Sequence, residues 1–107
     1  MAALAPSTRI LITGASRGIG RATALELARR GHRLVLAARD RARLDALAAE
    51  LHSMGAQAEV VELDVTCDES VARAAVQVRA GGPLDVIVNN AGVCVQRVFM
   101  RSRSEER

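Results

Sequence analysis

The segment Thr13-Gly14-Ala15-Ser16-Arg17-Gly18-Ile19-Gly20 lies directly after the apolar run Ile10-Leu11-Ile12 and directly before a helical pattern. Glycines in such a segment let the backbone turn tightly off a strand and approach a pyrophosphate closely, while the first N–H groups of the following helix point at the anion. The chemistry this spacing implies is the binding of a dinucleotide. Two further clusters sit after apolar runs: Asp64-Val65, and Asn89-Asn90-Ala91-Gly92. No tyrosine and no lysine occurs anywhere in the chain, which limits proton-transfer chemistry.

Other chemistry is poorly provided for. Cys67 and Cys94 stand in no C-x-x-C pair and near no histidine, so neither a metal site nor a disulfide framework is expected. His32 and His52 fall on expected helix or turn surfaces without a neighbouring nucleophile and are read as solvated. Lys and Arg together number 15, all of them arginine, and the net charge is +3. These arginines are spread from Arg9 to Arg107 with no interleaved aromatic residues, so they read as solvated surface and not as a nucleic-acid footprint. The opening residues lack a signal-peptide pattern, and no run approaches the roughly 20 apolar residues of a membrane span. A cytoplasmic location is expected.

The elements that must position these groups follow from composition and period. A length of 107 residues allows one small domain, with 50% hydrophobic and 1% aromatic residues and Phe99 as the lone ring. A core of Ala, Val, Leu and Ile suits a parallel sheet flanked by helices. Strands are expected over Arg9 to Thr13, Arg33 to Ala37, Ala58 to Leu63 and Leu84 to Val88. Helices are expected from Gly18 to Arg30, with Glu26 and Arg30 paired at i,i+4, and from Arg41 through Met54, read as a core residue. A third helix carries Val71, Ala74, Ala75 and Val78 on one face, with Thr66 and Glu69 spaced as a capping box at its start.

The alternation reads as βαβαβαβ, an α/β chain of Rossmann type with helices on both faces of the sheet. With right-handed connections the strand order is 3-2-1-4, a partial doubly wound domain. Residues 1–8 read as an N-terminal extension, 9–96 as the nucleotide-binding half-domain and 97–107 as a charged tail. The glycine loop and the Asn89 to Gly92 cluster then open at the carboxyl ends of strands one and four, where the chain reverses direction and a ligand crevice is expected.

Taken together, the three motifs resemble those of the short-chain dehydrogenase/reductases. Thr13 to Gly20 looks like that family's T-G-x-x-x-G-x-G cofactor loop, Asp64-Val65 like its D-V pair, and Asn89 to Gly92 like its N-N-A-G motif. The resemblance spans Arg9 to about Val95, the first half or less of a usual member. It implies that Gly14, Gly18 and Gly20 wrap the pyrophosphate, with Ser16 offering a hydroxyl and Ile19 an amide. It further implies that Asp64 accepts from the adenine amino group with the Val65 backbone beside it. Asn89 would bridge strands and reach toward the cofactor, and Ala91 and Gly92 would make room for the nicotinamide-side ribose. Alternatives stand beside these roles: Asp64 as an ordinary strand-end cap, and Asn89-Asn90 as an ordinary turn.

Cofactor choice is expected at the end of the second strand, where a carboxylate would favour the ribose 2′-hydroxyl of NAD. That position is Ala38, followed by Arg39, and Arg17 lies within the glycine loop. Two cationic side chains favour NADP over NAD, each charge-assisted hydrogen bond being worth about 1.5–3 kcal/mol. Asp40 would favour NAD if a shift in register brought it to the ribose.

Family chemistry is hydride transfer between a nicotinamide and a carbonyl or alcohol carbon, with a tyrosine as acid/base and a lysine lowering its pKa. The Y-x-x-x-K pair would follow well after Gly92, and Ser102 and Ser104 lie too close to Gly92 to replace the missing groups. The chain by itself is therefore expected to bind but not to catalyse. The rival expectation is a non-catalytic nucleotide-binding module that completes its sheet with a partner. In either case an open edge at strand four invites self-association.

Overall fold

The computed structural model describes residues 8–90. Seven elements follow in order: β1 (Arg9–Thr13), α1 (Gly18–Arg29), β2 (Arg33–Ala38), α2 (Arg41–Ser53), β3 (Ala58–Glu62), α3 (Asp68–Ala80) and β4 (Val86–Asn89). The strands form one sheet in the order β3-β2-β1-β4, and all three pairings are parallel. Register is set by Ile12 opposite Leu36 on one side and Val88 on the other. This is the Rossmann-type half sheet that the alternating pattern predicts.

The period of two along the strands divides the core between the sheet's faces. Ile10, Ile12, Leu34 and Leu36 pack against Ala24 and Ala28 of α1 and Leu44, Leu47 and Leu51 of α2. Leu11, Val35, Ala37 and Val61 pack instead against Val71, Ala74, Ala75 and Val78 of α3. Both β1 and β2 are buried on both faces, as central parallel strands must be. Glu26 pairs with Arg30 at 2.9 Å, the expected i,i+4 bridge.

Several expectations are corrected. The capping box does not form: α3 begins at Asp68 with Cys67 at its N-cap and no side-chain cap. Because Cys67 takes the N-cap, Thr66 lies one residue outside the helix, where its main-chain N–H and its hydroxyl donate to Asp64 Oδ1 at 3.0 and 2.6 Å. The fourth strand begins at Val86 and not at Leu84. Pro83 offers no N–H, and the Asp85 carboxylate accepts from the Arg9 main-chain N–H at 2.8 Å, so regular pairing starts at Val86.

Met54 is 44% exposed at the C-cap of α2, where the helical stripe has already ended, and is not a core residue. His32, expected in solvent, is 5% exposed in the connection from α1 to β2, and its Nδ1 has no hydrogen-bond partner among the described residues.

Arg9 is the largest departure from the solvated-arginine expectation, at 1% exposure. Its guanidinium donates to the Val78 and Gly82 carbonyls at 2.9 and 2.6 Å and to both oxygens of Glu59 at 3.0 to 3.3 Å. A buried guanidinium needs such saturation, because its desolvation is otherwise uncompensated. These bonds tie β1, β3 and the end of α3 together at the amino ends of the strands, opposite the glycine loop.

Candidate nucleotide-binding site

The glycine loop leaves β1 in a conformation its sequence requires. Gly14 and Gly18 adopt φ of 65° and 61°, the left-handed region that a side chain disfavours. Between them the Ala15 N–H donates to the Ala37 carbonyl at 3.1 Å, which fastens the loop to β2. Gly20 is a case of close approach: a Cβ there would strike the Gly14 carbonyl oxygen and lie 2.8 Å from Asn90 Nδ2.

Asn89 and Asn90 hold the loop from the other side. Thr13 Oγ1 donates to Asn89 Oδ1 at 3.2 Å, linking the ends of β1 and β4. Asn90 Nδ2 donates to the Gly14 carbonyl at 3.3 Å. Asn90 received no role from the sequence, although its place directly after the strand paired with β1 is the signal that points to it.

Between the carboxyl ends of β1, β2 and β3 lies a cleft of about 690 Å³. Of the residues singled out from sequence, it brings together Gly14, Ser16, Arg17, Arg39, Asp64 and Val65. Gly18, Ile19 and Gly20 begin α1 beside it without lining it, and Ile19 is 77% exposed. Asn89 is also off the lining, and Ala91 and Gly92 lie outside the described residues, as do Cys94, Phe99, Ser102, Ser104 and the charged tail. The cleft adds Ala38, Asp40, Arg43 and Thr66, of which Arg43 was not anticipated.

Charge in the cleft is unevenly satisfied. Neither the Arg17 nor the Arg39 guanidinium makes a hydrogen bond or close ion pair with another described residue, and both residues line the cleft. Asp40 is committed: it caps α2 by accepting from the Arg43 N–H at 3.1 Å and pairs with Arg43 Nε at 3.2 Å. β2 ends at Ala38, and Asp40 lines the cleft two residues beyond it with its carboxylate already engaged by Arg43.

Asp64 is held ionised. The Thr66 hydroxyl first, then the Thr66 N–H, and to a lesser degree the positive charge of Arg39 keep its carboxyl below the ordinary carboxylate value. Among the described residues no cluster of His, Cys, Asp or Glu could hold a metal ion, and no helix is long and apolar enough to cross a membrane. A cleft of this size, with a glycine turn, two guanidiniums that hydrogen-bond no described residue and a carboxylate held by Thr66, suits a phosphorylated adenosine.

Known proteins are similar to this chain in sequence and fold. A 3-oxoacyl-acyl-carrier-protein reductase of Pseudomonas aeruginosa is 40% identical over 98 residues, which is 90% of this chain and 39% of that protein. A short-chain dehydrogenase from Sphingobium yanoikuyae, solved in complex with NADPH, aligns with a TM-score of 0.73 and 44% identity over 84% of this chain and 35% of its own. L-Sorbose reductase from Gluconobacter frateurii, solved with NADPH and L-sorbose, aligns with a TM-score of 0.76 and 38% identity over 82% of this chain and 34% of its own. The chain thus spans less than half the length of these relatives. The model of the short chain dehydrogenase family matches residues 8–107, and this chain belongs to that family.

Proposed function

We propose that this chain binds NADP(H) as the cofactor-binding portion of a short-chain dehydrogenase, in preference to NAD(H). One observation carries the cofactor choice. The end of β2 presents Ala38 in place of a carboxylate, and Arg17 and Arg39 line the same cleft with no hydrogen-bond partner for either guanidinium among the described residues. A 2′-phosphate supplies the charge these guanidiniums lack, whereas a 2′-hydroxyl leaves both unsatisfied. Relatives from Sphingobium and Gluconobacter solved with NADPH support the reading.

In this reading Gly14, Gly18 and Gly20 wrap the pyrophosphate, Ser16 and the Ile19 amide donate to it, and Asp64 with the Val65 backbone takes the adenine. Asn89, Ala91 and Gly92 serve the nicotinamide side. The bound nicotinamide supplies hydride chemistry toward a carbonyl or alcohol carbon. This chain supplies binding and orientation, because it has no tyrosine or lysine to move the accompanying proton. That same composition favours a second reading, a non-catalytic nucleotide-binding module that completes its sheet with a partner.

Calorimetric titration of the chain with NADPH and with NADH tests the cofactor choice. Binding of NADPH at least about tenfold tighter is expected from one charge-assisted hydrogen bond. Equal affinities, or no binding of either, would overturn it. An assay with the same protein and simple ketones separates the two readings of the chain from an active enzyme, since measurable carbonyl reduction contradicts both.

A further inference from the structure

The cleft contains one acidic side chain at the end that follows β2, and that side chain is already engaged. Asp40 Oδ1 accepts from the Arg43 main-chain N–H and Asp40 Oδ2 meets Arg43 Nε at 3.2 Å. Both side chains line the cleft, and both are about half exposed, so a ligand there meets the pair and not the carboxylate alone. A guanidinium has five N–H donors in a fixed fork. In Arg43 that fork lies against its carboxylate partner as an ion pair and keeps donors for a ligand in the cleft.

We propose that Arg43 is a specificity-determining residue of this site, acting in two ways that share one ion pair with Asp40. It neutralises a carboxylate that would otherwise repel a 2′-phosphate and accept from a 2′-hydroxyl, and it adds a third cation to the rim formed by Arg17 and Arg39. The inference rests on the reading of the cleft as an NADP(H) site. It differs in naming a residue of α2, outside the glycine loop and the strand end, as part of the discrimination. It also explains how Asp40 is tolerated beside a phosphate subsite.

The two actions have separable consequences. Removing Arg43 takes away donors and exposes Asp40 as a free charge. Removing Asp40 as well restores part of what was lost. The cap of α2 survives both changes, because residue 43 keeps its N–H and an asparagine at 40 is an equally good acceptor.

The test is calorimetric titration of the full chain with 2′,5′-ADP and with 5′-AMP, which differ only in the 2′-phosphate. Wild type is expected to prefer 2′,5′-ADP. Arg43→Gln is expected to lower the preference for 2′,5′-ADP over 5′-AMP about tenfold, through weaker binding of 2′,5′-ADP, the size of one charge-assisted bond together with one unmasked like charge. Adding Asp40→Asn to Arg43→Gln is expected to recover about threefold, in line with the repulsion of one partly screened carboxylate. An Arg43→Gln protein that keeps the full preference, or loses both ligands equally, overturns the inference alone. So does a double variant no better than the single one. A wild type without preference for 2′,5′-ADP overturns the NADP(H) reading, and the role of Arg43 falls with it.

Discussion

The side-chain amide of Asn90 donates to the main-chain oxygen of Gly14 at 3.3 Å, joining two loops 76 residues apart in sequence. These loops leave the neighbouring parallel strands β1 and β4 at the same end of the sheet. The bond is long and exposed, so Asn90→Ala should cost only about 0.5–1 kcal/mol of stability. Its larger effect should fall on binding, because the Gly14 turn loses its tether on the β4 side. A several-fold rise in the NADPH dissociation constant with a small drop in melting temperature is expected, and unchanged affinity would show that the tether does not position the loop.

Gly20 supports the same contact from behind. A methyl group there meets the Gly14 carbonyl and the Asn90 amide at once. Backbone cannot yield as a flexible side chain can, so Gly20→Ala should destabilise by about 1–3 kcal/mol, the range for overpacking. Combining it with Asn90→Ala removes only the softer of the two clashes. Thermal denaturation of the double variant should therefore show no recovery over Gly20→Ala, whereas full recovery would place the clash on Asn90 alone.

Apolar period and glycine spacing made most of the fold legible before any coordinates. The run Ile10-Leu11-Ile12 announces a strand buried on both faces, and the order of four strands follows from crossover handedness. What stayed hidden was decided by partners distant in sequence or by competition between neighbours. Arg9 is buried because Glu59, Val78 and Gly82 converge on it, and no local window contains them. Thr66 satisfies a capping pattern with Glu69, but the helix starts one residue later, with Cys67 at the N-cap, and Thr66 turns to Asp64. Arg43 is invisible to a motif search because its place in the cleft comes from the first turn of α2 and its bond to Asp40.

The Arg9 cluster gives a stability prediction remote from binding. Truncation in Arg9→Ala leaves the Val78 and Gly82 carbonyls without their guanidinium partner and Glu59 without its ion pair. Glu59 is half exposed and can rehydrate, so the cost should lie at the low end for a broken buried pair, about 3 kcal/mol. Glu59→Gln should cost less, since both carbonyl bonds remain. Denaturant unfolding of the two variants checks the order, and nucleotide affinity in folded Glu59→Gln should match wild type.

Strand β4 pairs with β1 alone among the described residues, and each of its residues is only partly buried. On the face of Leu11 and Val35, α3 is the one helix packed among the described residues. An edge and a face of this kind favour association. Sedimentation of the chain should show a weight-average mass that rises with concentration. A monomer across the range, with a single sharp thermal transition, would count against it.

Asp64 provides a prediction in pH. Its folded-state pKa lies below the ordinary 3.8, chiefly through the Thr66 hydroxyl, next through the Thr66 N–H, and then through the charge of Arg39. Between the folded and unfolded values the native state binds fewer protons, so stability rises with pH across that interval. The contribution is complete above about the unfolded value of 3.8 and is lost as pH falls through the lowered folded value. Near neutral pH the carboxylate is fully charged and available to accept a hydrogen bond. Thr66→Val removes the leading cause while keeping the N–H, and should move the Asp64 carboxyl part of the way back toward its ordinary value. Arg39→Gln should move it in the same direction by less. Carbon-detected NMR titration of the Asp64 carboxyl reads both shifts, and a Thr66→Val titration that overlays wild type would show that the hydroxyl bond does not control this charge.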